Sequence, residues 1–104
     1  MPFNLELTKE ADAQYNDLKN SKALARRFKS VKKALKFLAE NPKHPSLNTH
    51  KYDSLEGPDG SEVFEAYAET KTPTAYRIFW CYYPPKKKDD EQGTITVIAI
   101  TPHP

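Results

Sequence analysis

Tyr76-Arg77-Ile78-Phe79-Trp80-Cys81-Tyr82-Tyr83 is the most strand-like stretch of this 104-residue chain. Aromatic and β-branched side chains fit a pleated, half-buried surface, so the run predicts a strand at the heart of a sheet. Two further apolar runs, Val63 to Ala68 and Thr94 to Ile100, lie on either side of it in the chain. Their spacing predicts an antiparallel meander. In the last run both alternate sets, Ile95-Val97-Ala99 and Ile98-Ile100, are largely apolar, as expected of a central strand with little solvent on either face. The connection from Pro84 to Gly93 carries three lysines and three acids and reads as a mobile hairpin tip.

Upstream of the meander the hydrophobic period changes. Phe3, Leu5 and Leu7 alternate with Asn4 and Glu6, the pattern of a short strand with one buried face. Thr8 follows as a helix N-cap, with Glu10 and Asp12 suited to the positive helix start and Ala11, Tyr15 and Leu18 at helical spacing. Asn20-Ser21 breaks this helix, and Ser21 is placed to cap a second one. There Leu24, Phe28, Val31, Leu35 and Leu38 form one apolar stripe, while Arg26, Arg27, Lys29, Lys32, Lys33 and Lys36 occupy the remaining surface. Pro42 requires the helix to end near Asn41. Residues 42–61, rich in Pro, Gly and polar side chains, read as an irregular connection pinned to the core by Leu47 and Leu55. Helices first and a meander afterwards predict a single α+β domain over residues 1–104. Its helical hairpin packs on one face of a twisted, mainly antiparallel sheet and leaves the other face open.

Composition narrows the function classes. A single cysteine, Cys81, gives no disulfide framework and suits a reducing cytoplasm. The first residues lack a basic segment followed by an apolar run, and no stretch approaches a membrane span of about 18 apolar residues. The net charge of +2 is unevenly distributed: residues 1–51 carry +6 and residues 52–104 carry −4. The cationic half, mostly on the second helix, points to a polyanionic partner or to a solvated helix face.

Glycine occurs only at positions 57, 60 and 93, and no phosphate-binding loop, dinucleotide fingerprint or nucleophile elbow is present. His44, His50, His103 and Cys81 match no metal-ligand spacing, and Cys81 reads as a small buried hydrophobe. Arg77 is the notable residue, because a guanidinium within an apolar strand needs solvent or an anion, and its planar fork suits two oxygens of one phosphate or carboxylate. Glu65 and Glu69 are the protein's own alternatives for that anion. His103, at the exit of the last strand, exchanges protons near neutral pH, with an ordinary pKa of about 6.5. His50 and Lys51 precede the sheet in a polar loop. Glu65 and Tyr67 share one face of their strand and join Arg77 in one groove if the register permits.

Taken in order, these residues resemble the RelE/ParE superfamily of toxins from bacterial toxin–antitoxin pairs. The resemblance covers nearly the whole chain: a short strand, a helical hairpin, a Pro-rich passage with His44-Pro45-Ser46-Leu47 and His50-Lys51, a strand, then Tyr76-Arg77-Ile78-Phe79 and a closing strand. It implies a toxin that arrests translation by cutting messenger RNA in the ribosomal decoding site, needs no metal or other cofactor, and is neutralised by a bound antitoxin. In that chemistry the RNA's 2′-hydroxyl attacks the adjacent phosphate while protein groups move protons and stabilise charge.

The same resemblance implies catalytic roles for Arg77 at the phosphate and for His103, with His50 and Glu65 as possible proton-transfer or orienting partners. Lys51, Tyr67 and the helix residues Arg26, Arg27, Lys29, Lys33 and Lys36 would lie against RNA. Members nearest RelE carry lysines where this chain has Glu65 and Tyr67, and continue past the last strand to a further tyrosine. That difference points to histidine-using relatives. Related toxins with the same fold poison DNA gyrase by binding alone, and a degenerate member could retain only antitoxin binding.

Overall fold

The alternating segment at the start of the chain forms β1 (Phe3–Leu7) in the computed structural model, which describes residues 3–70, 74–84 and 93–102. Thr8 then turns the chain into α1 (Lys9–Lys19). Its hydroxyl accepts the Ala11 N–H at 3.1 Å and donates to the Ile98 carbonyl at 3.2 Å. One side chain therefore satisfies a free helix donor and ties the helix start to the sheet.

Ser21 does not cap the second helix through its side chain. It heads a single 3₁₀ turn, Lys22–Leu24, after which α2 (Ala25–Glu40) begins at Leu24 without a side-chain cap. The tighter turn meets this need with backbone, the Leu24 N–H bonding to the Ser21 carbonyl at 3.2 Å. α2 ends at Asn41, whose backbone is extended ahead of Pro42.

The stretch Tyr76–Tyr82 is β4, the middle strand of a five-stranded sheet in which β2 (His50–Glu56), β3 (Glu62–Tyr67), β4, β5 (Gly93–Pro102) and β1 follow one another in space. β3 and β5 flank β4 in antiparallel register, and β1 pairs with β5 in parallel. The helices cover one sheet face. Val31, Ala34, Leu35 and Leu38 of α2 and Ala11 and Leu18 of α1 bury against Ala66, Ile78, Trp80, Ile95, Val97 and Ile100.

β5 outruns β1, and α1 completes its hydrogen bonding. β1 ends with Leu7 opposite Val97; beyond it, Thr8 N–H bonds to the Val97 carbonyl at 3.0 Å and the Ile100 N–H donates to Gln14 Oε1 at 2.7 Å. Between these points the β4–β5 register slips so that Phe79 faces Ala99 and Trp80 faces Val97. Ile98 is the extra residue, and its carbonyl is the one held by Thr8.

Two sequence expectations change. The connection over 42–61 contains a strand, β2 (His50–Glu56), between short 3₁₀ turns at Pro45–Leu47 and Pro58–Gly60. It is an exposed edge strand whose register with β3 is interrupted between Lys51 and Glu56, so it carries no alternation by which to be read. Leu47 is fully buried as expected, but Leu55 is 42% exposed. The sheet face opposite the helices is also not open throughout. Tyr52 packs edge-on to Phe79 at 4.8 Å, and the Gly57–Ser61 turn lies so close that a β-carbon on Gly57 would stand 3.3 Å from Cys81 Sγ. Residues 85–92, read as a mobile tip, lie outside the described residues. Among the described residues no helix is long and apolar enough to cross a membrane.

Thr8→Ala removes both bonds of the helix–sheet junction and is expected to cost about 1–2 kcal/mol in urea unfolding, with Thr8→Ser retaining most of it. Burial pushes the Cys81 thiol above its ordinary range. Above about pH 8.5 the unfolded chain releases a proton that the folded chain keeps, so this thiol makes stability fall with rising pH, by at most about 1.4 kcal/mol per pH unit. Denaturant midpoints from pH 8 to 10 should show that component lost in Cys81→Ala.

Candidate functional site

The uncovered end of the second sheet face is built by strand register. β2 sets His50 opposite Glu65, and β4 sets Arg77 opposite Tyr67. Period-2 alternation on β3 puts Glu65 and Tyr67 on the same face, with Phe64 and Ala66 turned toward the helices. Four side chains separated by up to 27 positions in the sequence thereby become neighbours.

Glu65 is the centre of the group, only 1% exposed. Its Oε1 lies 2.7 Å from His50 Nε2, and its Oε2 lies 4.0 Å from Arg77 Nε. Arg77 is 7% exposed, with its guanidinium 3.8 Å above the Tyr67 ring. Its Nη1 donates to the Glu69 carbonyl and, at 3.3 Å, to the Tyr76 carbonyl, while Nε is buried without a hydrogen-bond acceptor. The guanidinium therefore faces a carboxylate, an aromatic ring and two carbonyls, and His50 is the member of the group open to solvent, its side chain 45% exposed.

The imidazole of His50 is fixed at both nitrogens. Besides Glu65 on Nε2, Nδ1 lies 2.9 Å from the Asn48 carbonyl, and the ring meets Tyr67 edge-on at 5.6 Å. A neutral imidazole has one N–H and one lone pair, so two oxygen acceptors are both satisfied only when both nitrogens carry protons or Glu65 carries one. Two acceptors around one ring, one of them a carboxylate, make a proton-transfer unit. Asn48 holds its carbonyl there from a left-handed backbone conformation (φ 45°) that asparagine tolerates, after the Pro45–Leu47 turn. Sequence reading did not single out Asn48; its only signal was an Asn two residues before a polar-loop histidine.

The remaining candidates fall elsewhere. Lys51, one residue from His50, bonds to Glu62 at 3.3 Å and Asp53 at 3.5 Å and is held above the usual lysine range chiefly by the Glu62 hydrogen bond. Arg27 braces α2 against the β3–β4 connection: it lies 3.7 Å from the Glu69 carboxylate, donates to Thr74 Oγ1 at 2.6 Å and stacks over Tyr76 at 5.4 Å. Arg26, Lys29, Lys33 and Lys36 share the exposed cationic face of α2. β5 ends at Pro102, with Thr101 opposite Arg77, and His103 lies outside the described residues. No group of three or more metal-ligating side chains occurs among the described residues.

No protein-family model and no curated protein matches the sequence. Solved structures do match. A YoeB/ParE toxin from Agrobacterium tumefaciens superposes with a TM-score of 0.67 over 97% of this chain and 99% of its own, at 11% identity. A YoeB dimer from Staphylococcus aureus gives 0.65 over the whole of both chains, at 13% identity. This chain has the YoeB/ParE toxin fold. Coverage near 100% on both sides means that β2 and the short turns, the parts least legible in sequence, are included in the YoeB/ParE likeness.

Removing Arg77 strands the Glu65 carboxylate with half its compensation. Arg77→Met is expected to cost about 3–5 kcal/mol in chemical unfolding, and the double variant Arg77→Met/Glu65→Leu less than the sum of its single changes.

Proposed function

We propose that this protein is the toxin of a toxin–antitoxin pair and acts as a ribosome-dependent endoribonuclease on messenger RNA, with His50 as the proton-transferring residue. The observation that carries this reading is a half-exposed imidazole 2.7 Å from a fully buried carboxylate, on the uncovered face of a YoeB/ParE fold. The reaction breaks the bond from phosphorus to the 5′-oxygen as the 2′-oxygen bonds to phosphorus. One proton leaves the 2′-hydroxyl and one must reach the departing oxygen. The Nδ1 proton of the imidazolium reaches the leaving oxygen when that oxygen displaces the Asn48 carbonyl from it, while Nε2 stays on Glu65. Glu65 orients the ring. Arg77 balances Glu65 from behind and adds positive potential beneath the phosphate. His103 is the candidate for the opposite proton transfer. The α2 cations Arg26, Lys29, Lys33 and Lys36 supply an electrostatic face for ribosomal RNA, and a protein antitoxin is the neutralising partner.

The burial of Arg77 favours a second reading, in which the chain inhibits DNA gyrase by binding, since its fork is not presented to solvent. Expression of the chain alone separates the two. Growth arrest with new mRNA ends inside reading frames is the expected outcome, with His50→Ala lowering the cleavage rate about 100-fold or more and relieving the arrest. Arrest with altered plasmid supercoiling and no new RNA ends would establish the gyrase reading instead. Soluble expression without growth effect would overturn both.

A further inference from the structure

Just before β2 the chain takes a left-handed step at Asn48, with φ 45° and ψ 41°. Asparagine and glycine tolerate that conformation, alanine less well, and a β-branched residue reaches it only under strain. The segment on either side is held at several points. Leu47 is fully buried and its N–H bonds to the His44 carbonyl at 3.0 Å, the Asn48 N–H bonds to the Pro45 carbonyl at 3.2 Å, and Thr49 Oγ1 donates to the Pro42 carbonyl at 2.9 Å. His44 Nδ1 accepts the Ser46 N–H at 3.1 Å, closing the turn from inside. Asn48 itself is exposed, and its side chain makes no hydrogen bond among the described residues. What this bracing fixes is therefore the direction of the Asn48 carbonyl.

That carbonyl lies 2.9 Å from His50 Nδ1. His50 Nε2 is committed to Glu65, which is 1% exposed, so Nδ1, beside the exposed Asn48, is the nitrogen left to meet an oxygen from outside. A carbonyl only accepts hydrogen bonds, so its presence at Nδ1 favours a proton there. Without it, a neutral ring can satisfy Glu65 with its one proton on Nε2, and Nδ1 then has nothing to donate. We propose that Asn48 is a positioning residue for proton transfer by His50. Its left-handed backbone aims a carbonyl that keeps a proton on Nδ1 and fixes the ring until a substrate oxygen takes the carbonyl's place. The purpose of this arrangement rests on the nuclease reading above; the hydrogen bond and its dependence on residue 48 do not. The Asn48 side chain is then needed for the backbone conformation it permits rather than for a contact of its own.

The test compares the wild-type chain with Asn48→Gly, Asn48→Ala and Asn48→Val by NMR of isotope-labelled histidine and by cleavage of a defined messenger RNA on bacterial ribosomes. The Nδ1 proton of His50 is expected in the wild type and in the conservative Asn48→Gly variant, weaker in Asn48→Ala and lost in Asn48→Val. Cleavage should follow the same order, with kcat within about threefold of wild type for Asn48→Gly, where glycine adopts the left-handed conformation freely. Asn48→Val should lower kcat about tenfold or more and leave KM unchanged, since a misplaced proton donor is missed only in the transition state. If Asn48→Val does not fold, Asn48→Gly against Asn48→Ala gives the same comparison at lower strain. A loss in Asn48→Gly as large as in Asn48→Val would overturn the proposal by making the side chain the active part. So would an Nδ1 proton indifferent to residue 48, or a kcat that rises in Asn48→Val, which would make the carbonyl a restraint on the reaction. A wild-type chain that shows the expected proton pattern but cleaves no RNA would sink the nuclease reading and leave the hydrogen-bond role standing. Cleavage by a wild-type chain whose Nδ1 carries no proton would do the reverse.

Discussion

The carboxylate of Glu65 constrains everything around it. An ionised group at 1% exposure is costly by several kcal/mol unless its oxygens are met by charge and hydrogen bonds, and here one oxygen meets an imidazole and the other a guanidinium. Those partners must come from β2 and β4, so one buried acid in β3 links three adjacent strands through their side chains. Arg77 in turn needs Tyr67 beneath it and the Glu69 and Tyr76 carbonyls beside it, which holds the start of the β3–β4 connection against the sheet. Arg27 engages the same Glu69 through its carboxylate, bringing α2 into the same network. The polar face and the helical layer are thus tied by a short series of contacts.

Much of this was legible because it follows from period. The 3.6-residue stripe from Leu24 to Leu38, the alternation of Phe3, Leu5 and Leu7, and the apolar density of residues 76–83 each state which face is buried, and the layers follow. Thr8 was legible as a cap because a hydroxyl before an acidic first turn has a specific partner in the free amides. β2 was not, since an edge strand with every residue but Tyr52 exposed has no buried face to announce it. Leu55 shows the same limit: hydrophobicity alone does not say that a side chain turns inward.

The candidate site was legible in its members but not in its arrangement. Arg77 stood out as a charge in an apolar strand, and Glu65 as the acid able to meet it, yet register alone decides that His50 lies opposite Glu65 rather than a residue earlier or later. A slip of one position would have turned His50 to the helical face and brought Lys51 to Glu65 instead. Likewise, equal cationic character along α2 concealed a division of labour: Arg27 is consumed by Glu69 and Thr74, while among the described residues no carboxylate lies within ion-pair distance of Lys33.

The parallel pairing of β1 with β5 has a consequence for how the fold is reached. Phe3 to Leu7 lie beside Gly93 to Val97, so the first strand finds its neighbour only after roughly 90 residues have been placed between them. The α1–α2 hairpin and the β2–β3–β4 antiparallel set close short loops and can form early, whereas the β1–β5 contact closes the longest loop in the domain. As synthesis proceeds, β1 and β4 therefore wait for the strand that joins them. Thr8 and Gln14, which hold Ile98 and Ile100, belong to that last step, so the helix–sheet junction is completed by the strand that arrives last.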